Sequence, residues 1–300
     1  MLFLSRIRTI ALLWWKTLPE MTRALPGYLV TALFGFLRHG TRQAAALAYY
    51  AVFSIFPLTL LLAVGISRLL GPVVAQQQIQ IGLSAFLPPS VAPALELIQT
   101  NVTQAIAESQ SFGLIALVGL AWSASGLFTN ITNALDTIFN VPALRSIWRQ
   151  RLMAVLMTFM LIALIAASFI TSGILRLLSA LLLDRPNPWL NAGVVFLPLT
   201  LNVVIFLLLF RYVPARPVRS DAAWPAAIIG ALGWEAAKSG FGWFLANVAN
   251  FQFVYGSIAA VIALLLWAYL IAAIFLFSAE LCAKLNEWME QHDNEVMSDA

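Results

Sequence analysis

A chain of 300 residues that is 61% hydrophobic and only 10% charged stands far from the balance of a soluble domain. Its single cysteine, Cys282, excludes an internal disulfide, and two histidines with one cysteine leave little from which to build a zinc site, so neither a metal nor a cofactor is expected. The net charge of +4 calls for no nucleic acid, because an excess of Lys and Arg is what the cytoplasmic face of a membrane protein carries.

Residues 1–43 read as a cytoplasmic and interfacial segment. Phe3, Ile7, Ile10 or Ala11, Trp14 and Leu18 recur at helical spacing while Arg6, Thr9 and Lys16 face elsewhere. That pattern suits an amphipathic helix lying on the anionic inner leaflet or packed beneath a bundle. The run "TIALLWW" is short, and no small-residue cleavage site follows it, so the segment is expected to be retained rather than removed as a signal peptide. Residues 24–37, "ALPGYLVTALFGFL", are interrupted by Pro26 and Gly27 and fit an interfacial or re-entrant segment better than a crossing.

A crossing of the hydrocarbon needs about 20 apolar residues, and six runs qualify: 44–66, 112–135, 152–174, 190–210, 222–246 and 257–281. The expected fold is therefore all-α, a polytopic membrane bundle of six transmembrane helices over residues 44–281. In the first span Tyr50, Ser54 and Pro57 fall at spacings of four and three; Pro57 takes the helical donor from the Phe53 carbonyl and predicts a kink, which Ser54 helps to satisfy. The loop 67–111 shows two amphipathic stretches, with Ile79, Leu83 and Phe86, then Leu95, Ile98, Val102 and Ile106, separated by Pro88 and Pro89. They read as two short helices capping the outer side.

The second span carries Ser123, Gly126, Asn130, Asn133 and Thr137 on one face, with Ser125, Thr129, Thr132 and Asp136 beside it. Two readings stay open for this face: hydrogen bonding between packed helices, or a hydrated groove leading toward the cytoplasm. The fifth span raises the sharpest question. "IIGALGWEAAKSGFGWF" sets Glu235 and Lys238 inside an apolar run. A charge at a helix centre costs about 2.5–3.5 kcal/mol, two cost about 5–7, and six good apolar residues return only about 2–4. The helix must shelter that face, and a spacing of three lets the two charges pair with each other. Ala226, Gly230, Gly233, Ala237 and Gly240 form a small-residue stripe suited to close packing. The sixth span ends in "FSAELCAKL", where Glu280 and Lys284, one turn apart, read as a local ion pair at the cytoplasmic interface. Residues 282–300 read as a cytoplasmic acidic tail whose end, from Glu287, frays in solvent.

Thirteen of the Lys and Arg residues fall on one side of this arrangement, three (Arg68, Arg176, Arg185) on the other, and Lys238 lies within the bilayer. Positive loops stay inside, so both termini are expected in the cytoplasm.

The runs "RQAAALAYYAVFSIFPLTLLL", "LAWSASGLFTNITNALDTIFNV", "GWEAAKSGFGWF" and "VYGSIAAVIALLLWAYLIAAIFLFSAEL" resemble the bacterial YihY and virulence factor BrkB family of inner-membrane proteins over about residues 35–285. One departure is visible: the family's Gly-Ala-Glu reads Ser278-Ala279-Glu280 here, which retains the carboxylate. The resemblance implies a bacterial inner-membrane location and a link to envelope integrity. The family has also carried the label of a tRNA-processing ribonuclease, ribonuclease BN. A metal-dependent nuclease needs clustered ligands on a water-accessible domain, whereas His39 and His292 flank the whole bundle in sequence and no His-x-His-x-Asp-His run exists. That label is rejected, and no catalytic residue is assigned. There is no Walker loop, and no Gly-x-Ser-x-Gly or Ser-x-x-Lys pattern in a useful context.

The residues converge on a transporter or flippase-like protein for a lipid or other amphiphilic envelope component, driven passively, by an ion or by a partner. Glu235, Lys238, Asn130, Asn133, Ser123, Tyr50, Ser54 and Asp136 are the candidate internal polar site, and membrane lipids the expected partners. The alternative is a non-transporting scaffold that anchors envelope-assembly proteins through its outer cap and basic inner face.

Overall fold

The computed structural model describes residues 20–86, 96, 98–100, 103–104, 126–141, 188–247 and 258–298. The N-terminal amphipathic stretch, the third span and the first half of the second, with Ser123, lie outside the described residues, as does most of the second cap helix. Every regular element among the described residues is a helix. In chain order these are α1 (Glu20–Gly35), a π-helix (Phe36–Gly40), α2 (Thr41–Leu70), α3 (Pro72–Phe86), α4 (126–138), α5 (Pro188–Tyr212), α6 (Ser220–Asn247) and α7 (Ala259–Ser298).

The expected break at Pro26 and Gly27 does not occur: α1 runs through both residues, continues into the π-helix and then into α2. Pro26 forfeits a single backbone bond near the helix start, and Thr31 donates its hydroxyl to the Gly27 carbonyl at 2.6 Å one turn on. The chain does turn at Gly71. Its φ of 91° is open to glycine and strained for other residues, its N–H closes α2 on the Ser67 carbonyl at 3.0 Å, and Pro72 opens α3 with the φ that a first helical residue needs.

The centre of the molecule is α7, against which α1, the π-helix, α2 and α6 all pack, while α5 lies along α6. Tyr28 meets Trp288 with ring centroids 6.4 Å apart, and Gly35 sits against Glu280, so the α1–α2 run and α7 lie antiparallel. Phe206, Phe210 and Phe275 stack at 5.6–6.0 Å, and Trp267 receives Trp234 at 6.2 Å and Phe241 at 5.3 Å. This aromatic ladder ties α5 and α6 to α7. The small-residue stripe of α6 allows the approach: a Cβ at Gly230 would come within 2.9 Å of Ser278 Oγ and 3.2 Å of the Phe206 ring, and one at Gly233 within 3.0 Å of Ile274. Gly240 faces open space.

Among the described residues, Ala259–Asn294 is long and apolar enough to cross a membrane, and Leu199–Tyr212 forms a shorter apolar helix. The polar end of the chain does not fray from Glu287, as its composition suggests: α7 remains helical to Ser298. Leu281, Leu285 and Met289 recur every four residues on a buried face, and four acidic or amide side chains of this stretch, Asn286, Glu287, Glu290 and Asp293, find partners on other elements.

Candidate functional site

Trp234 of α6 points into the bundle, and the next residue lies about 100° round the helix. Glu235 therefore sits between the buried face and an exposed ridge of Leu232, Ser239 and Trp243. Its Oε2 lies 2.8 Å from Lys238 Nζ, and its Oε1 accepts a hydrogen bond from Asn202 Nδ2 of α5 at 3.1 Å. The Lys238 and Glu235 side chains are 24% and 35% exposed, whereas Asn202 is buried. The carboxylate is thus held from both sides, by a cation on its own helix and an amide on the neighbouring one, and both are charge-assisted contacts.

Asn202 also lines a cleft of about 340 Å³. Leu47 and Ile55 of α2, Leu127 and Ile131 of α4, and Phe206 of α5 form much of its wall. Trp234, Trp267 and Phe275 complete the aromatic side. Asn202 is the one side chain among the described lining residues able to form a hydrogen bond through a carboxamide; the rest of the lining is aliphatic or aromatic apart from the indole N–H groups. An apolar chamber with one placed polar group is the usual constitution of a small-molecule site.

Of the two readings left open for the second span, the part described, from Gly126 on, puts no polar side chain on the cleft. Asn130 Nδ2 donates to the Gly126 carbonyl at 2.9 Å, Thr132 to that of Phe128 and Thr137 to that of Asn133, so these groups bond back to their own helix. Asn133 is exposed. Leu127 and Ile131, from the same helix, line the cleft instead. Asp136 serves elsewhere: its Oδ1 accepts the Ala215 N–H at 3.0 Å and holds the 213–219 connection between α5 and α6. Tyr50 packs over Gly126, where a Cβ would come within 2.6 Å of its ring. Ser54 is buried and donates to the Tyr50 carbonyl at 2.7 Å, not to the Phe53 carbonyl that Pro57 leaves without a helical donor. Residue 57 lies within α2, which is helical from Thr41 to Leu70.

The ion pair expected between Glu280 and Lys284 is replaced. Lys284 Nζ binds Glu287 Oε2 at 2.9 Å, where Asn140 Nδ2 also reaches Glu287 Oε1 at 3.1 Å. Glu287 is partly exposed beside the 139–141 turn, whereas Glu280 is drawn beneath α1 against Gly35 and is buried.

Two features escape inspection of the sequence. Asn202 is a lone amide in "LPLTLNVVIFLLLF", and its position within an apolar run was the available signal. The other is a latch at the far end of α7. Asn286 Oδ1 accepts the Arg219 N–H at 2.9 Å while its Nδ2 donates to Glu290 Oε1 at 2.8 Å; Arg216 pairs with Glu290, and Arg219 with Asp293. Among the described residues no group of three His, Cys, Asp or Glu side chains could hold a metal ion. His292 stacks on Trp288, their centroids 5.6 Å apart.

The sequence profile of the family described as "Virulence factor BrkB" matches residues 36–299. A UPF0761 membrane protein of Rhodospirillum centenum is 28% identical over 286 residues, covering 89% of this chain and 61% of its own length. This chain therefore spans less than two thirds of that relative. A UPF0761 membrane protein of Yersinia enterocolitica is 27% identical over 219 residues, covering 73% of this chain and 74% of its own, and one from Yersinia pestis is 28% identical over 221 residues, with 72% and 74% covered. No solved structure matches the chain. With a profile that extends across most of its length and relatives named for their place in the membrane, the chain belongs to the virulence factor BrkB family of membrane proteins.

Proposed function

We propose that the protein is a transporter or flippase-like protein of the bacterial inner membrane that takes a lipid or other amphiphile into the cleft between α2, α4, α5, α6 and α7. The observation that carries this reading is the union of an apolar chamber of about 340 Å³ with a polar network, Asn202–Glu235–Lys238, that reaches its wall through Asn202, within a chain from a membrane protein family. The chamber suits a hydrocarbon tail, and the partly exposed ion pair suits a polar head moving past it. Six spans with both termini in the cytoplasm belong to the same reading. Its support is that Arg38 and Arg42 follow α1, while Arg211, Arg216, Arg219 and Lys284 lie at the end of the bundle where the latch closes; Arg68 lies at the opposite end of α2.

The test is reconstitution of the full chain into vesicles carrying a headgroup-labelled phospholipid, with an impermeant quencher added outside. Transport predicts that quenching passes beyond the half of the label found in protein-free vesicles, and that Ala272→Phe, which fills the cleft, returns it to the protein-free level. Labelled lipid that stays in its leaflet at every protein density, in the presence of an imposed pH or sodium gradient as well as without one, would overturn the proposal.

A further inference from the structure

The ion pair, which meets the cleft only through Asn202, has spare bonding capacity of both signs. An ammonium carries three N–H donors and an ionised carboxylate about four acceptor positions. Among the described residues Lys238 gives one hydrogen to Glu235, and Glu235 accepts one bond on each oxygen, from Lys238 and from Asn202. Lys238 retains donors, Glu235 retains lone pairs, and both side chains are reachable at 24% and 35% exposure, while Asn202 anchors the carboxylate from the buried side. A purely anionic head would meet Glu235 beside the lysine, and a purely cationic one would meet Lys238 beside the glutamate. A head carrying both charges a few ångströms apart can satisfy each.

The chamber adds a size condition. Ligand pockets run to about 300–1,000 Å³, so about 340 Å³ lies at the small end and holds one hydrocarbon chain rather than two. The exposed ridge beside Glu235 carries Leu232 and Trp243, apolar side chains along which a second chain can remain in the bilayer.

From these observations we infer that the occupant is a zwitterionic phospholipid, its phosphate bound by Lys238, its ammonium by Glu235 and one acyl chain in the cleft. This rests on the amphiphile reading of the cleft and specifies its ligand class.

The experiment uses the full chain purified in mild detergent with an equimolar mixture of phosphatidylethanolamine and phosphatidylglycerol of matched acyl chains, with the lipids retained counted by native mass spectrometry. The wild type is expected to retain the zwitterionic lipid at least about tenfold over the anionic one, a preference that a single charge-assisted contact can supply. Glu235→Gln leaves Lys238 without its carboxylate and is expected to invert the preference toward phosphatidylglycerol. Lys238→Met is expected to lower retention of both lipids, and of phosphatidylglycerol the more, because Glu235 then opposes its phosphate without a neighbouring cation. A merely structural ion pair would weaken retention of both lipids alike, without inversion. Equal retention of the two lipids by the wild type, or an unchanged preference in both charge variants, would overturn the zwitterion assignment while leaving an amphiphile in the cleft. Ala272→Phe, with Leu127→Trp as a second filling variant should the first unfold, separates the two levels. Undiminished lipid retention with the cleft filled would overturn the amphiphile reading, and loss of retention in a folded filled variant would support it.

Discussion

At the level of single residues, Glu235 and Lys238 are held by a bond to each other and by Asn202 on the neighbouring helix. Their spacing of three made the pair itself legible, since such residues share a helical face. Asn202 was not legible as the third member, because its partner stands 33 positions further along and the pairing exists only once α5 and α6 lie side by side. Asn202→Leu removes the donor to Glu235 Oε1; interhelical hydrogen bonds in membranes average about 0.6 kcal/mol, and bonds to charged groups reach more. With the carboxylate still partly exposed, a loss of about 1 kcal/mol is expected in detergent unfolding, together with a change in the lipid preference. Glycines on the same helix give a contrast within one element. Gly230→Val drives a branched side chain into Ser278 and Phe206 and is expected to cost about 1–3 kcal/mol. Gly240→Ala, which meets open space, should be neutral or slightly stabilising. Equal thermal shifts for the two would show that α6 does not pack through its small-residue stripe.

Among the elements, α7 departs furthest from its reading as a span followed by a loose tail. Composition was the misleading signal: "NEWMEQHDNEVMS" looks like a solvated end, yet Leu281, Leu285 and Met289 continue a buried stripe beyond the apolar run. What the sequence could not show is that Arg216 and Arg219, assigned to a cytoplasmic loop for their charge, lie against Glu290 and Asp293. Those ion pairs are a third or more exposed and contribute little singly, about 0–1 kcal/mol. Asn286 differs, being 1% exposed and bonded at both ends, to the Arg219 N–H and to Glu290. Asn286→Ala strands a backbone donor and is expected to cost about 1–3 kcal/mol, and to admit protease at residues 213–219. Asp293→Ala should do neither to a measurable degree. Proteolysis that proceeds equally fast in the two variants would mean that the ion pairs, rather than the buried amide, hold the connection.

For the whole molecule, helix length and charge placement make a joint prediction about the membrane. A 40-residue helix is about 60 Å long, twice the hydrocarbon thickness of about 30 Å. If α7 crosses, about half of it must stand outside, and the end that does so is the latched one, beside Arg216, Arg219 and Lys284. Positive-inside placement puts that end in the cytoplasm and Arg68, at the other end of α2, outside. The all-helical class and membrane location could be read from composition and run length, because those depend on local hydropathy; the cleft could not, because it is assembled from side chains of five helices that are each unremarkable alone. The protein's own chemistry makes orientation testable, since its single Cys282 is fully buried and should stay unlabelled by a maleimide until the protein unfolds. In a Cys282→Ser background, a cysteine at Asp293 should be blocked by an impermeant maleimide only when the cytoplasmic face is opened, and one at Arg68 from the outside of intact cells. Labelling of both sites from one side would overturn the topology, and with it any passage that depends on α2 and α7 crossing the bilayer together.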